Sequence, residues 1–333
     1  MSHGRFDNPV VAALAGVKDF FSKQELAERL TDNDRFDDKI CLVTGANSGL
    51  GFGLAVEMAK RGAHVIMAGR SSIPEAGEEV KKLSGSQYVE MRYVDLSKIE
   101  TIHAFVEGLK KDKIHPDVTI LNAGVALPKA IKTESGIEEM FLVNFLSNVI
   151  LTNLMISEKV IDPDSDKAFR PRITFISSDS HQGSSAIDYD EFGVYEQYGV
   201  SKGISNYSYF KLVLNTYAVE LSRRINKEKV NAGVNVICPG PVHTEIIKNA
   251  PKLLYLTLKS IFGIVFRSPS KAALPVVYMS ISPDYEGKTE EYLHMFRHKK
   301  MDPKCYVREE GKRLWEESFK LWYSVDERAQ MIN

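Results

Sequence analysis

Apolar and polar positions along the chain switch period in a regular order. Short apolar runs bounded by turn residues predict buried strands: KICLVT (39–44), AHVIMAG (63–69), YVEMRYVDL (88–96), DVTILNAG (117–124), RITFISS (172–178) and GVNVICPG (233–240). Between them, helical spacing predicts helices over 49–61, from Pro74 onward, over 98–111, over about 134–158 and over about 204–225. Such alternation predicts an α/β fold, a doubly wound parallel sheet with helices on both faces. No internal repeat or low-complexity linker interrupts it, so 38–300 reads as one domain, with helical extensions at 1–37 and 301–333. In the first extension, Asn8-Pro9 suits an N-cap and first helical position, and Val10, Leu14, Val17 and Phe21 share a face. Two stretches stand outside the alternation: 179–203, expected as loop, and the apolar KLLYLTLKSIFGIVFR at 252–267.

Composition narrows the function classes. A net charge of −1 over 333 residues gives no footprint for nucleic acid. Cys41, Cys238 and Cys305 lie far apart, without metal-ligand spacing, so no metal site and a reducing compartment are expected. The first 21 residues make a poor secretory signal, since Lys18 and Asp19 break the apolar stretch. No uninterrupted apolar run reaches the length of a membrane span. A cytoplasmic protein is expected, with the N-terminal helix and 252–267 as its candidates for contact with a membrane surface.

Chemistry enters at TGANSGLG (44–51), between the first strand and the first helix. Gly45, Gly49 and Gly51 allow a tight turn and close approach to a ligand. Together with Asn47, Ser48 and Leu50 they bring a helix N-terminus to that ligand, which suits a pyrophosphate. The order strand, glycine loop, helix is that of a Rossmann-type dinucleotide site. The spacing Thr-Gly-x-x-x-Gly-x-Gly resembles the short-chain dehydrogenase/reductase family, and the likeness continues in order. Asp95-Leu96 closes the third strand, Asn122-Ala123-Gly124 follows the fourth, and Asn144 sits on the next helix. Ser178 ends the fifth strand, and Pro239-Gly240, Val242 and Thr244 follow the sixth. SSDSH (177–181) and GKRLWEESFKLW (311–322) are similar to the retinol-dehydrogenase-like branch.

The family pattern calls for Tyr-x-x-x-Lys, and YGVSKGISNYSYFK (198–211) holds it twice: Tyr198 with Lys202, and Tyr207 with Lys211. A third match, Tyr255 with Lys259, falls after Pro239-Gly240 and out of order. Tyr198 has the serine that the family favours before its lysine, whereas Phe210 stands there in the second pair. Gly199 and Gly203 weaken a helix through Tyr198 by about 1 kcal/mol each. The run after Lys211 suits a long amphipathic helix and places Glu220-Leu221 at the offset of related enzymes. Tyr207 is therefore the expected acid–base residue, and YGVSK an extended loop over the site.

The resemblance implies that Tyr207 exchanges the proton, Lys211 lowers the tyrosine pKa and holds the nicotinamide ribose, Ser178 positions the substrate oxygen, and Asn144 anchors a water. Arg70 and Ser71 stand after the second strand, which ends at Gly69 without a carboxylate, so NADP(H) is expected over NAD(H). His181 is expected to be solvated in its loop and Cys238 to be a small buried hydrophobe. An apolar 252–267 with Lys252, Lys259 and Arg267 suits a cover over a lipophilic carbonyl or alcohol, retinoid, steroid or long-chain aldehyde. The resemblance also implies a homodimer through the helices at 134–158 and 204–225. A catalytically silent dinucleotide-binding regulator or scaffold is the alternative.

Overall fold

The computed structural model describes residue 26 and residues 29–165, 167–240 and 268–332. The N-terminal helix expected from Asn8, the residues Val242 and Thr244, and the apolar stretch 252–267 lie outside them. Among the described residues the strands are β1 (Ile40–Thr44), β2 (His64–Gly69), β3 (Val89–Tyr93), β4 (Val118–Leu121), β5 (Arg172–Ile176), β6 (Gly233–Cys238), β7 (Tyr292–His294) and β8 (Arg297–His298). They form one sheet in the order β3-β2-β1-β4-β5-β6-β7-β8, parallel except for the β7–β8 pair. The helices are α1 (Gly49–Lys60), α2 (Glu75–Ser84), α3 (Ile99–Lys111), α4 (Glu139–Ser157), α5 (Val200–Ile225), α6 (Pro269–Ile281) and α7 (Arg308–Val325).

Alternation along the strands explains the two layers of helix. On β1, Leu42 faces one core with Phe105, Leu146 and Leu214, from α3, α4 and α5. Cys41 and Val43 face the other, with Leu54, Val80 and Val276 from α1, α2 and α6. Parallel pairing keeps the strand ends flush: Thr44 lies beside Ala68, Val43 beside Ile120, Leu121 beside Phe175 and Ile176 beside Ile237. The loops after β1, β4, β5 and β6 thus leave at one edge. Strand order reverses between β1 and β4, where an open α/β sheet forms its ligand crevice.

Several element boundaries differ from the pattern reading. The helix expected over 134–158 begins only at Glu139, because Lys132 and Glu138 pair as a β-bridge and hold the chain extended. Its segment Leu142–Leu146 is a π-helical turn around Asn144. Helix α5 begins at Val200, ahead of the expected 204, with Gly199 as its N-cap. Gly203 does not break it: a Cβ there would lie 2.5 Å from the Leu127 carbonyl oxygen, so glycine lets the first turn pack on the loop after β4. β7 and β8 add a sheet edge that the pattern reading lacks. Helix α4 is apolar enough to cross a membrane by length and composition, yet it is largely buried inside the protein.

Candidate active site

The glycine loop is braced to the end of β4. Thr44 Oγ1 accepts from the N–H groups of Asn122 (3.0 Å) and Ala123 (3.1 Å), and Asn122 Nδ2 donates to the Thr44 carbonyl at 2.8 Å. Gly45 and Gly49 have φ of +64° and +55°. A Cβ on Gly51 would come within 2.3 Å of the Gly45 oxygen. Ser48 occupies the N-cap of α1 without a side-chain hydrogen bond.

A cavity of about 800 Å³ runs along the loop edge of the sheet. Gly45, Asn47, Ser48, Gly49 and Leu50 line it at one end; Arg70, Ser71, Asp95 and Leu96 stand on its β2–β3 side. Asn122, Ala123 and Gly124 form its floor, and Ser178, Tyr207, Lys211, Pro239 and Gly240 close the β5–β6 side. Gly51 and Asn144 lie behind this surface.

Asn144 is fully buried in the π turn and clamps the chain after β4: its Oδ1 accepts from Val125 N and its Nδ2 donates to Val125 O, both at 2.8 Å. Lys211 Nζ donates to the Ile176 carbonyl at 2.8 Å and lies 5.7 Å from the centroid of the Tyr207 ring. The helix pitch gives this pairing, since residues four apart share a face. Strand β5 ends two residues before Ser178, which caps the short 3₁₀ turn Asp179–Gly183 and accepts from Ser180 Oγ at 3.0 Å.

The sequence profile of the short chain dehydrogenase family matches residues 39–189. Human retinol dehydrogenase 13 is 31% identical, over 85% of this chain and 84% of that one. Human polyprenol dehydrogenase is 28% identical, over 87% of this chain and 86% of that one. Among solved structures, a Mycobacterium paratuberculosis protein superposes with a TM-score of 0.65 at 25% identity, covering 88% of this chain and 97% of its own. A short-chain dehydrogenase from Shigella flexneri, solved with NADP, shares the fold with a TM-score of 0.59 at 19% identity, covering 79% and 99%. This chain belongs to the short-chain dehydrogenase/reductase family, in its retinol-dehydrogenase-like branch. It is an oxidoreductase of alcohol and carbonyl groups.

In this dehydrogenase, burial pulls Lys211 down to about 8, against a smaller opposing influence of Cys238. Burial likewise pushes the Tyr207 hydroxyl up. Tyr198, the rival tyrosine, is not on the cavity wall. Its buried hydroxyl donates to Glu138 Oε1 at 2.8 Å, while Glu138 Oε2 accepts from Phe141 N at 2.8 Å. YGVSK is therefore an anchored helix start rather than an extended loop over the site. Lys202 pairs with Glu196.

His181 is completely buried, not solvated. Its Nδ1 bonds the Ser178 carbonyl oxygen at 2.7 Å and its Nε2 accepts from Asp302 N at 3.2 Å, tying the 3₁₀ turn to the chain before α7. Burial pulls its pKa down, consistent with that accepting, neutral ring. Arg70, which follows a strand end without a carboxylate of its own, stands 3.6 Å from Asp95 Oδ1 and 3.5 Å from Glu139 Oε1. Glu139 and Ser177, both on the cavity wall, are not named as site residues by the sequence reading: Glu139 lies in no motif, and Ser177 is quoted only within SSDSH.

Proposed function

We propose that this enzyme transfers hydride between NADP(H) and a lipophilic alcohol or carbonyl compound, with Tyr207 as the general acid–base. The observation that carries this reading is that the glycine loop and the Ser178, Tyr207 and Lys211 group open into one cavity of about 800 Å³. The residues suit a dinucleotide. The Gly45–Gly51 contact leaves no room for a side chain, and the uncapped start of α1 offers N–H groups to a pyrophosphate. When bound, the nicotinamide supplies or takes the hydride. The chain supplies the proton: Tyr207 gives it to a developing alkoxide in reduction and takes it back in oxidation. Lys211, while charged, favours the tyrosinate. Ser178 holds the substrate oxygen, and Asn144 keeps the β4 loop and α4 in register beside Lys211.

Preference for NADP(H) rests on Arg70 and on the end of β2. β2 ends in Gly69, without the carboxylate that selects a ribose diol, and a Cβ there would sit 3.0 Å from Asn47 Oδ1. Asn47 Nδ2 donates to Ser71 Oγ at 3.0 Å and orders that corner. Arg70 is half exposed and its two acid contacts, at 3.5 and 3.6 Å, are too long for good hydrogen bonds, so its donors remain for a 2′-phosphate. A charged hydrogen bond of roughly 1.5–3 kcal/mol changes preference by about one to two orders of magnitude. Relatives named for retinol and polyprenol support the lipophilic class.

NADPH consumption with a panel of hydrophobic aldehydes and ketones tests the activity. Measuring kcat/KM and fluorescence binding for both cofactors in wild type and Arg70→Ala tests the preference. A wild type that favours NAD(H), or an Arg70→Ala enzyme with undiminished NADP(H) preference, overturns it.

A further inference from the structure

We propose that Glu139 is a specificity-determining residue, which limits the preference for a 2′-phosphorylated cofactor by competing with that phosphate for the Arg70 guanidinium. This rests on the reading of Arg70 as the group that meets the phosphate. Glu139 is the first residue of α4 and lines the same cavity as Arg70 and Asp95. Its Oε1 stands 3.5 Å from Arg70 Nη1, and the two side chains are 15% and 52% exposed. The same nitrogen has Asp95 Oδ1 at 3.6 Å, so one cation faces two acids.

The two acids differ in what else they do. Asp95 Oδ1 accepts from Ser97 N at 3.0 Å and from Ser97 Oγ at 2.7 Å, so it is tied to the turn after β3. Among the described residues, the Glu139 carboxylate has Arg70 as its ion-pair partner and no hydrogen bond. Its main chain is fixed on both sides. Glu139 N donates to Ile131 O at 2.8 Å, and the neighbouring Glu138 caps the helix through Phe141 N. A negative charge in the first turn of a helix is favoured by the helix dipole. Glu139 is therefore a placed anion with bonding capacity to spare, and Arg70 is the longer, more exposed side chain that changes partner.

The direction of the effect follows from the charges. One guanidinium against two carboxylates leaves this corner net negative before any phosphate arrives. A 2′-phosphate has to share Arg70 with Glu139 or draw it away, which offsets part of the attraction between arginine and phosphate. A ribose with a free 2′-hydroxyl makes no such demand. Arg70 thus supplies the preference, and Glu139 limits it and keeps the phosphorylated cofactor exchangeable.

The test is calorimetric titration of the full chain at low salt with 2′,5′-ADP and with 5′-AMP, which differ only in the 2′-phosphate. Glu139→Gln, close to the same shape, should tighten 2′,5′-ADP by about 3–10-fold and leave 5′-AMP within about two-fold. Glu139→Ala should move the two ligands the same way. In an Arg70→Ala background the gain from Glu139→Gln should fall below about two-fold, because the guanidinium that carries it is gone. No gain for 2′,5′-ADP, an equal change for both ligands, or a gain that survives Arg70→Ala overturns the proposal. A wild type that binds both ligands alike defeats the NADP(H) reading, while the ratio of Glu139→Gln to wild type still decides this inference.

Discussion

Two Tyr-x-x-x-Lys segments nine residues apart end up in different physical roles. Tyr198 immediately precedes α5, with its hydroxyl on a buried carboxylate, and Lys202 on the first turn reaches an exposed glutamate. Tyr207 and Lys211 lie two turns further on, on the cavity wall, with Lys211 held by a main-chain carbonyl of the sheet. The first pair fastens the helix start to the start of α4, through Glu138; the second uses the rigidity that results. A short motif gives two residues a common face on a helix, but the neighbouring sheet decides which face meets the cavity.

The comparison breaks most sharply in turnover. Tyr207→Phe should lower kcat by about 10²–10⁴, the range for losing a general acid–base, while Tyr198→Phe should stay within about ten-fold of wild type. Both are measured with the same carbonyl substrate and NADPH. If Tyr198→Phe is the inactive variant, the roles are reversed.

Lys211 gives the next effect. Its folded pKa, about 8, lies below the ordinary value of 10.5, so the unfolded chain binds more protons between those limits. Stability should therefore rise with pH across that window, by on the order of 2–3 kcal/mol at most. Denaturant unfolding at pH 7.5 and pH 10, compared with Lys211→Met, isolates the contribution.

The two glycines of the first segment separate packing from helix propensity. Gly203→Ala would place a Cβ 2.5 Å from the Leu127 carbonyl oxygen and should destabilise by about 1–3 kcal/mol despite alanine's better helix propensity. Tyr198→Phe leaves a buried Glu138 oxygen without its donor and should cost about 1–2 kcal/mol. Gly199→Ala meets nothing within 4 Å and should cost less than about 1 kcal/mol. Melting curves of the three rank them; a Gly199→Ala as damaging as Gly203→Ala would mean that propensity, not the Leu127 contact, sets this helix start.

The sequence by itself determined the six long strands, the helices between them and the glycine loop after β1. These depend on local period and on backbone freedom, which residues carry wherever the chain goes. It also put Ser178, Tyr207, Lys211 and Asn122 in the order that a strand-end crevice brings together. What only the tertiary structure decided depends on partners far along the chain. β7 and β8, of three and two residues, are too short to show a period and exist because the edge of β6 pairs with β7 and β7 in turn with β8. His181 looks like a loop histidine until Asp302 closes over it, 121 positions away. Arg70 acquires acidic neighbours from β3's exit and from α4, and Cys238 acquires an imidazole from β7. In each case one residue's chemistry is set by a neighbour across the fold, which neither its own spacing nor its flanking residues encode.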